Sequence, residues 1–163
     1  MVTHQVLDNY FPIDYFFSLR DKIMHDRFPW NFSKKLNHDQ LNSNDTYFCH
    51  NIYQDHVPQT FLWEDINYII SEYLHAEGIL RAKANLYLKT SQIIEHAKHV
   101  DFPIPHKGAI IYLNTCDGYT TLDDGTKIES VENRLLLFDS SKPHNSTSTT
   151  NALGRYNINI NYV

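Results

Sequence analysis

An antiparallel β-sandwich or jelly roll with helices packed on one side is the fold class that the sequence predicts, and three observations predict it. Two segments in the first 78 residues carry apolar side chains at three- and four-residue spacing. After Gly78 the chain alternates polar and apolar residues with period two. Asp117-Gly118 and Asp124-Gly125, the strongest short hairpin dipeptides, then punctuate that second half. The 163 residues suit a single domain, 1–163, with 1–78 expected as helical support carrying a lid loop and 79–163 as the β core.

The first helix is expected from Ile13 to about Phe28, where Tyr15, Phe16, Leu19, Ile23 and Met24 keep the helical period. The second runs from about Phe61 to Leu74 on Leu62, Ile66, Ile69, Ile70 and Tyr73. Between them Asn31 to Gln59 is polar and long for a structureless connection, which suggests a lid or binding loop. Strands are expected at Arg81–Leu88, Ile93–His99, Ala109–Asn114, Thr120–Leu122, Lys127–Val131, Arg134–Phe138 and Arg155–Tyr162. Several short antiparallel strands following two helices fit the layered class named above.

Composition narrows the function. Hydrophobic residues make up 42% and charged residues 20%, as in soluble globular chains, and no apolar run approaches the roughly 20 residues of a membrane span. The amino terminus lacks a basic start followed by an apolar stretch, so the cytoplasm is the default expectation. Cys49 and Cys116 match neither a disulfide framework nor a zinc-knuckle spacing and are read as reduced. A net charge of -5 provides no field to attract nucleic acid or an anionic membrane. The ten histidines are the outlying number, since histidine both ligates metals and titrates near neutrality.

The densest histidine cluster is Glu95-His96-Ala97-Lys98-His99-Val100-Asp101. In an extended segment His99 and Asp101 share a face and His96 points away; in a helix His96 and His99 would pair and Asp101 would fall off the face. The β pattern, with Pro103 and Pro105 just downstream, favours the extended case. One imidazole and one carboxylate on a face are two-thirds of a facial triad, which holds non-haem Fe(II) with three positions open. His144, after the apolar strand Arg134–Phe138 and a polar turn, is the best third ligand. Arg155 opens the last strand, where alternation puts Arg155, Asn157, Asn159 and Asn161 on one face and Tyr156, Ile158, Ile160 and Tyr162 on the other. An arginine on the inner face of a small barrel is costly unless an anion pairs with it, and a dicarboxylate would supply that anion.

In order along the chain, Lys83-Ala-Asn-Leu-Tyr87, His99-Val-Asp101, Ile111-Tyr-Leu-Asn114, Asn133-Arg-Leu-Leu-Leu-Phe138, Pro143-His144 and Arg155-Tyr-Asn-Ile-Asn159 resemble the catalytic core of the prolyl-4-hydroxylase-like Fe(II)/2-oxoglutarate dioxygenases. The resemblance covers about Leu80 to Val163 and implies a double-stranded β-helix, a cupin-like jelly roll, buttressed by two or more helices. It implies Fe(II) held by His99, Asp101 and His144, with 2-oxoglutarate and O2 as co-substrates. Arg155 would bind the distal carboxylate of 2-oxoglutarate, helped by Tyr112, with Tyr87 and Asn157 beside them. Asp117-Gly118-Tyr119-Thr120 stands where the family usually has a double glycine before threonine, which puts Tyr119 at the cavity mouth. Asn161 occupies the place of a second arginine in the nucleic-acid demethylase branch, and both residues are assigned to the substrate side. The implied reaction is hydroxylation of a C–H bond in a prolyl residue of a peptide or protein. A small-molecule substrate or a nucleic-acid base is the alternative, the base disfavoured by the charge. Two other readings are a non-catalytic cupin-like binding domain, and a zinc hydrolase on His96, His99 and His144 that leaves Arg155 without a role.

Overall fold

In the computed structural model, residues 4–33 and 46–163 are described. Along the chain the strands are β1 (His4–Leu7), β2 (Asn31–Ser33), β3 (Tyr47–Gln54), β4 (Val57–Pro58), β5 (Ile79–Leu88), β6 (Lys107–Tyr112), β7 (Tyr119–Thr121), β8 (Lys127–Glu129), β9 (Arg134–Asp139), β10 (Asn145–Ser146) and β11 (Gly154–Tyr162). Helix α1 spans Ile13–Ile23, and helix α2, Trp63–Ile69, continues into one wider π-helical turn, Ile70–Leu74. An eight-stranded antiparallel sheet has the order β1-β9-β6-β11-β5-β3-β2, with β4 on β3, and a three-stranded sheet has the order β10-β7-β8. This is the helix-buttressed jelly roll anticipated from the alternation.

Period two explains how the large sheet carries two different faces. Ala109 and Ile111 of β6 and Ile158 and Ile160 of β11 enter a core with Phe16, Leu19 and Ile23 of α1 and Ile66 and Ile69 of α2. Ile110 and Tyr112, one residue out of phase, pack with Leu122, Ile128, Leu136 and Phe138 in a second core on the opposite face. Helix α1 begins after Pro12 and stops at Ile23, short of the expected Phe28: Met24 caps it by donating to the Arg20 carbonyl, and a turn in which Phe28 N donates to the His25 carbonyl follows before β2. No helix among the described residues is long and apolar enough to cross a membrane.

Three expectations are corrected. The stretch 31–59, read as a polar loop, contains β2, β3 and β4, and its central part, 34–45, lies outside the described residues. Strand β3 hides from a pattern search because a bulge between Asn51 and Tyr53 breaks its alternation against β5. Strand β1 also adds to the first half, pairing with β9 from His4 opposite Phe138 to Leu7 opposite Leu135. Lastly, Ile93–His99 is not a continuous strand: it pairs with the segment after Pro143 through the isolated bridges Glu95 to Thr147 and His99 to His144, with His96 N donating to the Ser146 carbonyl and Ser148 N to the Ile94 carbonyl between and beside them. Glu95 and His99 are four positions apart but their partners Thr147 and His144 only three, so one extra residue is accommodated between the bridges and the side-chain phase changes there.

Candidate active site

Strands β5 and β11 pair with Arg155 opposite Tyr87, Asn157 opposite Asn85, Asn159 opposite Lys83 and Asn161 opposite Arg81. These eight polar or aromatic side chains share the face away from the helices, while Tyr162, Ile160 and Ile158 join the helix-side core. The row has two ends. Arg155 closes one, and Asp101, reached by Arg81 and Asn161, closes the other.

At the Asp101 end, ligand atoms of His99, Asp101 and His144 all lie within 4.8 Å of one another. The hydrogen-bonded bridge between His99 and His144 places their rings side by side, 4.7 Å between centroids. Nδ1 of His99 lies 3.3 Å from the Ala97 carbonyl, and Nδ1 of His144 lies 2.9 Å from the Lys142 carbonyl. A carbonyl only accepts, so the neutral rings carry their proton on Nδ1 and turn the bare Nε2 to the carboxylate. Those Nε2 atoms stand 3.9 Å (His99) and 3.5 Å (His144) from the two oxygens of Asp101. Two imidazole lone pairs facing a carboxylate with no proton between them repel, and a divalent cation resolves that arrangement. The donor set, two imidazoles and one carboxylate, suits iron.

Asp101 is held from beneath. Arg81 Nη2 donates to Oδ1 at 2.6 Å, and Oδ2 accepts from Ser140 Oγ at 2.7 Å, Asn161 Nδ2 at 2.9 Å and Asn159 Nδ2 at 3.4 Å. Burial alone would raise this carboxyl, but the His144 ring, once it carries a proton on Nε2 as well, and the Arg81 and Lys83 charges outweigh it and hold the group well below the usual carboxylate range. Burial, reinforced by the neighbouring His144, pushes the His99 imidazole down to about 4.

At the other end Arg155 has no solvent exposure. Its Nη2 donates to Thr120 Oγ1 at 2.8 Å, and the guanidinium carbon lies 5.4 Å and 5.5 Å from the ring centroids of Tyr87 and Tyr112. No carboxylate pairs with it among the described residues, and its Nε has no hydrogen-bond partner. The Tyr112 hydroxyl also donates to Thr120 Oγ1, at 2.9 Å, so that oxygen accepts twice and its own proton is left to donate. Burial keeps the Tyr112 hydroxyl above its ordinary value, and it stays a donor. A buried cation flanked by unspent donors is chemically suited to a carboxylate.

The remaining residues fall around these two poles. Asn157 accepts from Asn85 Nδ2 at 2.9 Å, midway along the row. Asn161, expected on the substrate side, is fully buried and braces Asp101. Tyr119 lies at the rim, donating to Glu95 Oε1 at 2.5 Å and accepting from Lys127 at 2.9 Å. His96, expected to point away, is buried against Tyr87 with Nδ1 2.9 Å from Ser146 Oγ, a consequence of the phase change before His99. It is outside the metal-ligating group, which contains Asp101 in its place, so the zinc-hydrolase set is not the one assembled. Sequence reasoning missed Arg81, Ser140, Asn159 and Thr120. Arg81 was legible, because it shares the phase of Tyr87 on β5.

His96, like His99, is held down to about 4, first by burial and then by the Arg155 charge. The folded protein therefore stays unprotonated at both rings where the unfolded chain takes up protons, near pH 6.5, and stability is lost as pH falls from about 6.5 toward 4. At pH 5 the loss is about 2 kcal/mol per histidine. Thermal melts of the metal-free protein should show Tm about 8–16 °C lower at pH 5 than at pH 7, and an unchanged Tm would contradict the burial of the two rings.

No family model and no curated protein matches the sequence. Solved structures do match. An oxidoreductase of the 2OG-Fe(II) oxygenase family from Burkholderia pseudomallei superposes with a TM-score of 0.71 at 16% identity, over 99% of this chain and 85% of that one. A viral collagen prolyl hydroxylase from Paramecium Bursaria Chlorella virus-1, solved as its 2OG complex, gives 0.63 at 13% over 99% and 97%. A prolyl hydroxylase from Trichoplax adhaerens, in complex with a hypoxia inducible factor peptide fragment, gives 0.63 at 18% over 98% and 83%. The chain has the fold of the 2-oxoglutarate/Fe(II) oxygenases.

Proposed function

We propose that this protein is an Fe(II)- and 2-oxoglutarate-dependent dioxygenase that hydroxylates a C–H bond, with a prolyl residue of a peptide or protein as the first substrate to test and a small molecule as the alternative. The observation that carries the reading is Arg155, a fully buried guanidinium without a carboxylate partner among the described residues, on the same strand pair that braces Asp101. A binding domain with no anionic ligand would gain nothing from keeping that charge buried. His99, Asp101 and His144 would hold the metal, whose chemistry requires room beside them for the 2-oxo acid and dioxygen. When bound, the iron supplies dioxygen activation coupled to decarboxylation of 2-oxoglutarate. Arg155 and the Thr120 hydroxyl orient the distal carboxylate, and Tyr112 fixes Thr120 by donating to it. Arg81, Ser140 and Asn161 keep the Asp101 carboxylate deprotonated and pointed at the two imidazoles. The Fe(II)-ligating and co-substrate-binding assignments draw support from the oxygenase fold and from the spacing of the two poles along β5 and β11.

Anaerobic addition of Fe(II) and 2-oxoglutarate should produce the weak visible charge-transfer band of a chelated 2-oxo acid, and a folded protein without that band would overturn the reading. Gly118 offers a second check. A Cβ there would stand 2.6 Å from Arg155 Cδ and 2.6 Å from the Ser148 carbonyl oxygen. Gly118→Ala should therefore cost about 1–3 kcal/mol of stability by overpacking. It should also raise the KM for 2-oxoglutarate, because the arginine has to shift; a raised KM for another substrate alone would contradict this placement.

A further inference from the structure

The mouth beside the metal-ligating residues is a cleft of ≈ 400 Å³, a volume suited to a small ligand. Its wall includes His99 and Asp101, together with Arg81, Lys83, Tyr47 and Asn51. Two cations therefore face it, and their situations differ. Arg81 is neutralised by Asp101 at 2.6 Å, bonded to Asn161 Oδ1 at 3.1 Å and covered by the Phe102 ring at 5.1 Å. Lys83 has no acidic partner among the described residues. Its Nζ donates to the Tyr47 hydroxyl at 3.3 Å and lies 5.3 Å from the centroid of the same ring. Tyr47 is stacked on Tyr87, 5.6 Å between centroids, so the lysine is aimed by a fixed ring. Burial pushes the Tyr47 hydroxyl up, so the phenol is neutral, and burial with the neighbouring Arg81 charge pushes Lys83 down, a cost that an anion placed beside the ammonium offsets.

The charges of the loaded site sharpen this. An iron dication with the Asp101 carboxylate, and a 2-oxoglutarate dianion with Arg155, sum to zero. Arg81 and Lys83 then add two positive charges, and Asp55 at the far wall of the cleft removes one. Among the described residues one uncompensated positive charge remains, and Lys83 is the cation there without an acidic partner. Along β5, Lys83 stands two residues, roughly 7 Å, from Arg81, which itself touches Asp101.

We propose that Lys83 recognises a free carboxylate on the substrate, so that the substrate class is an amino acid or a peptide's terminal residue whose own carboxylate lies close to the C–H bond that reacts. This rests on the dioxygenase reading above and narrows its substrate. An ammonium offers single-point contact and suits a monoanion, whereas Arg155 suits the distal carboxylate of the co-substrate. An uncharged internal prolyl residue would leave Lys83 buried without a counter-charge.

The test pairs acids with their amides. The full chain with Fe(II) and 2-oxoglutarate is offered L-proline, Gly-Pro and a panel of free amino acids, and in parallel their carboxamides and an internal acetyl-prolyl-glycinamide, with succinate as the readout. Equilibrium binding of the same probes to the anaerobic protein is measured by calorimetry, independent of turnover. Acids are expected to bind and stimulate and amides are not; free amino acid against Gly-Pro distinguishes the two sources of the carboxylate. Lys83→Met should weaken the acid about tenfold or more and abolish the preference over the amide, Lys83→Arg should restore part of it, and the KM for 2-oxoglutarate should not move. Equal binding of acid and amide by the native protein would overturn the proposal. So would a raised 2-oxoglutarate KM in Lys83→Met, or stimulation by phosphate esters in place of acids. Loss of all Fe(II)-dependent succinate strikes the oxygenase reading instead, and the calorimetric comparison of acid with amide still decides the role of Lys83.

Discussion

Asp101→Asn should abolish Fe(II)-dependent conversion of 2-oxoglutarate to succinate while leaving a folded protein. The amide keeps the shape of the side chain but removes the charge that Arg81, Asn161 and Ser140 all face and that the proposed metal would need. Fe(II) retention after desalting should fall to background, measured by elemental analysis, and retention equal to the native protein would rule out Asp101 as a ligand. Asp101→Ala is expected to be worse for the fold, because it strands the Arg81 guanidinium. Arg81 keeps 21% of its side chain in solvent, so the cost sits at the low end of the range for removing one partner of a buried pair, about 3 kcal/mol. In a protein of this size that corresponds to a Tm lower by about 6–12 °C. The difference in Tm between the two variants separates the bracing role of the carboxylate from its ligand role.

Arg155→Met should show the opposite pattern. Replacing a buried, unpaired cation with an apolar side chain of similar length removes a desolvated charge, so the ligand-free Tm should hold or rise. Affinity for 2-oxoglutarate should nevertheless fall about 100-fold or more, since truncating one partner of a buried charge pair costs about 2–5 kcal/mol and each 1.4 kcal/mol is tenfold. Fe(II) binding in the absence of 2-oxoglutarate should be unchanged. A collapse of Tm with equal loss of metal and co-substrate would make Arg155 a structural residue and remove the main support for the proposed function. Since His99 and His144, the proposed metal ligands, lie at the Asp101 end of the row, the two variants should lose different partners, one the metal and the other 2-oxoglutarate.

Much of the architecture was legible in the pattern of residues because period-two alternation survives wherever one face of a strand is apolar and the other polar. Strand β11 is the clearest case: Tyr156, Ile158, Ile160 and Tyr162 against Arg155, Asn157, Asn159 and Asn161 define both of its faces without any coordinates. His99 and Asp101, two residues apart, followed from the same rule. Where the rule broke, so did the reading. The bulge at Asn51 hid β3, and the extra residue between the Glu95 and His99 bridges turned His96 inward against expectation. A local irregularity of one residue inverts every downstream side chain, and nothing in the residue types of Glu95 to His99 announces it.

The sequence by itself determined the layer class, the positions of the helices, the two-faced β11 and the candidate trio His99, Asp101 and His144 with Arg155. Those are properties of local periodicity and of side-chain chemistry, both of which are written along the chain. Only the tertiary structure decided what surrounds them: that Arg81 and Asn161 brace Asp101, that Thr120 joins Tyr112 and Arg155, and that Lys83 faces the mouth without an acid among the described residues. These contacts link residues 20, 60 and 35 positions apart, for Arg81 to Asp101, Asp101 to Asn161 and Thr120 to Arg155. Strand register and sheet order set such distances, and those arise from pairing between distant segments that no local pattern encodes.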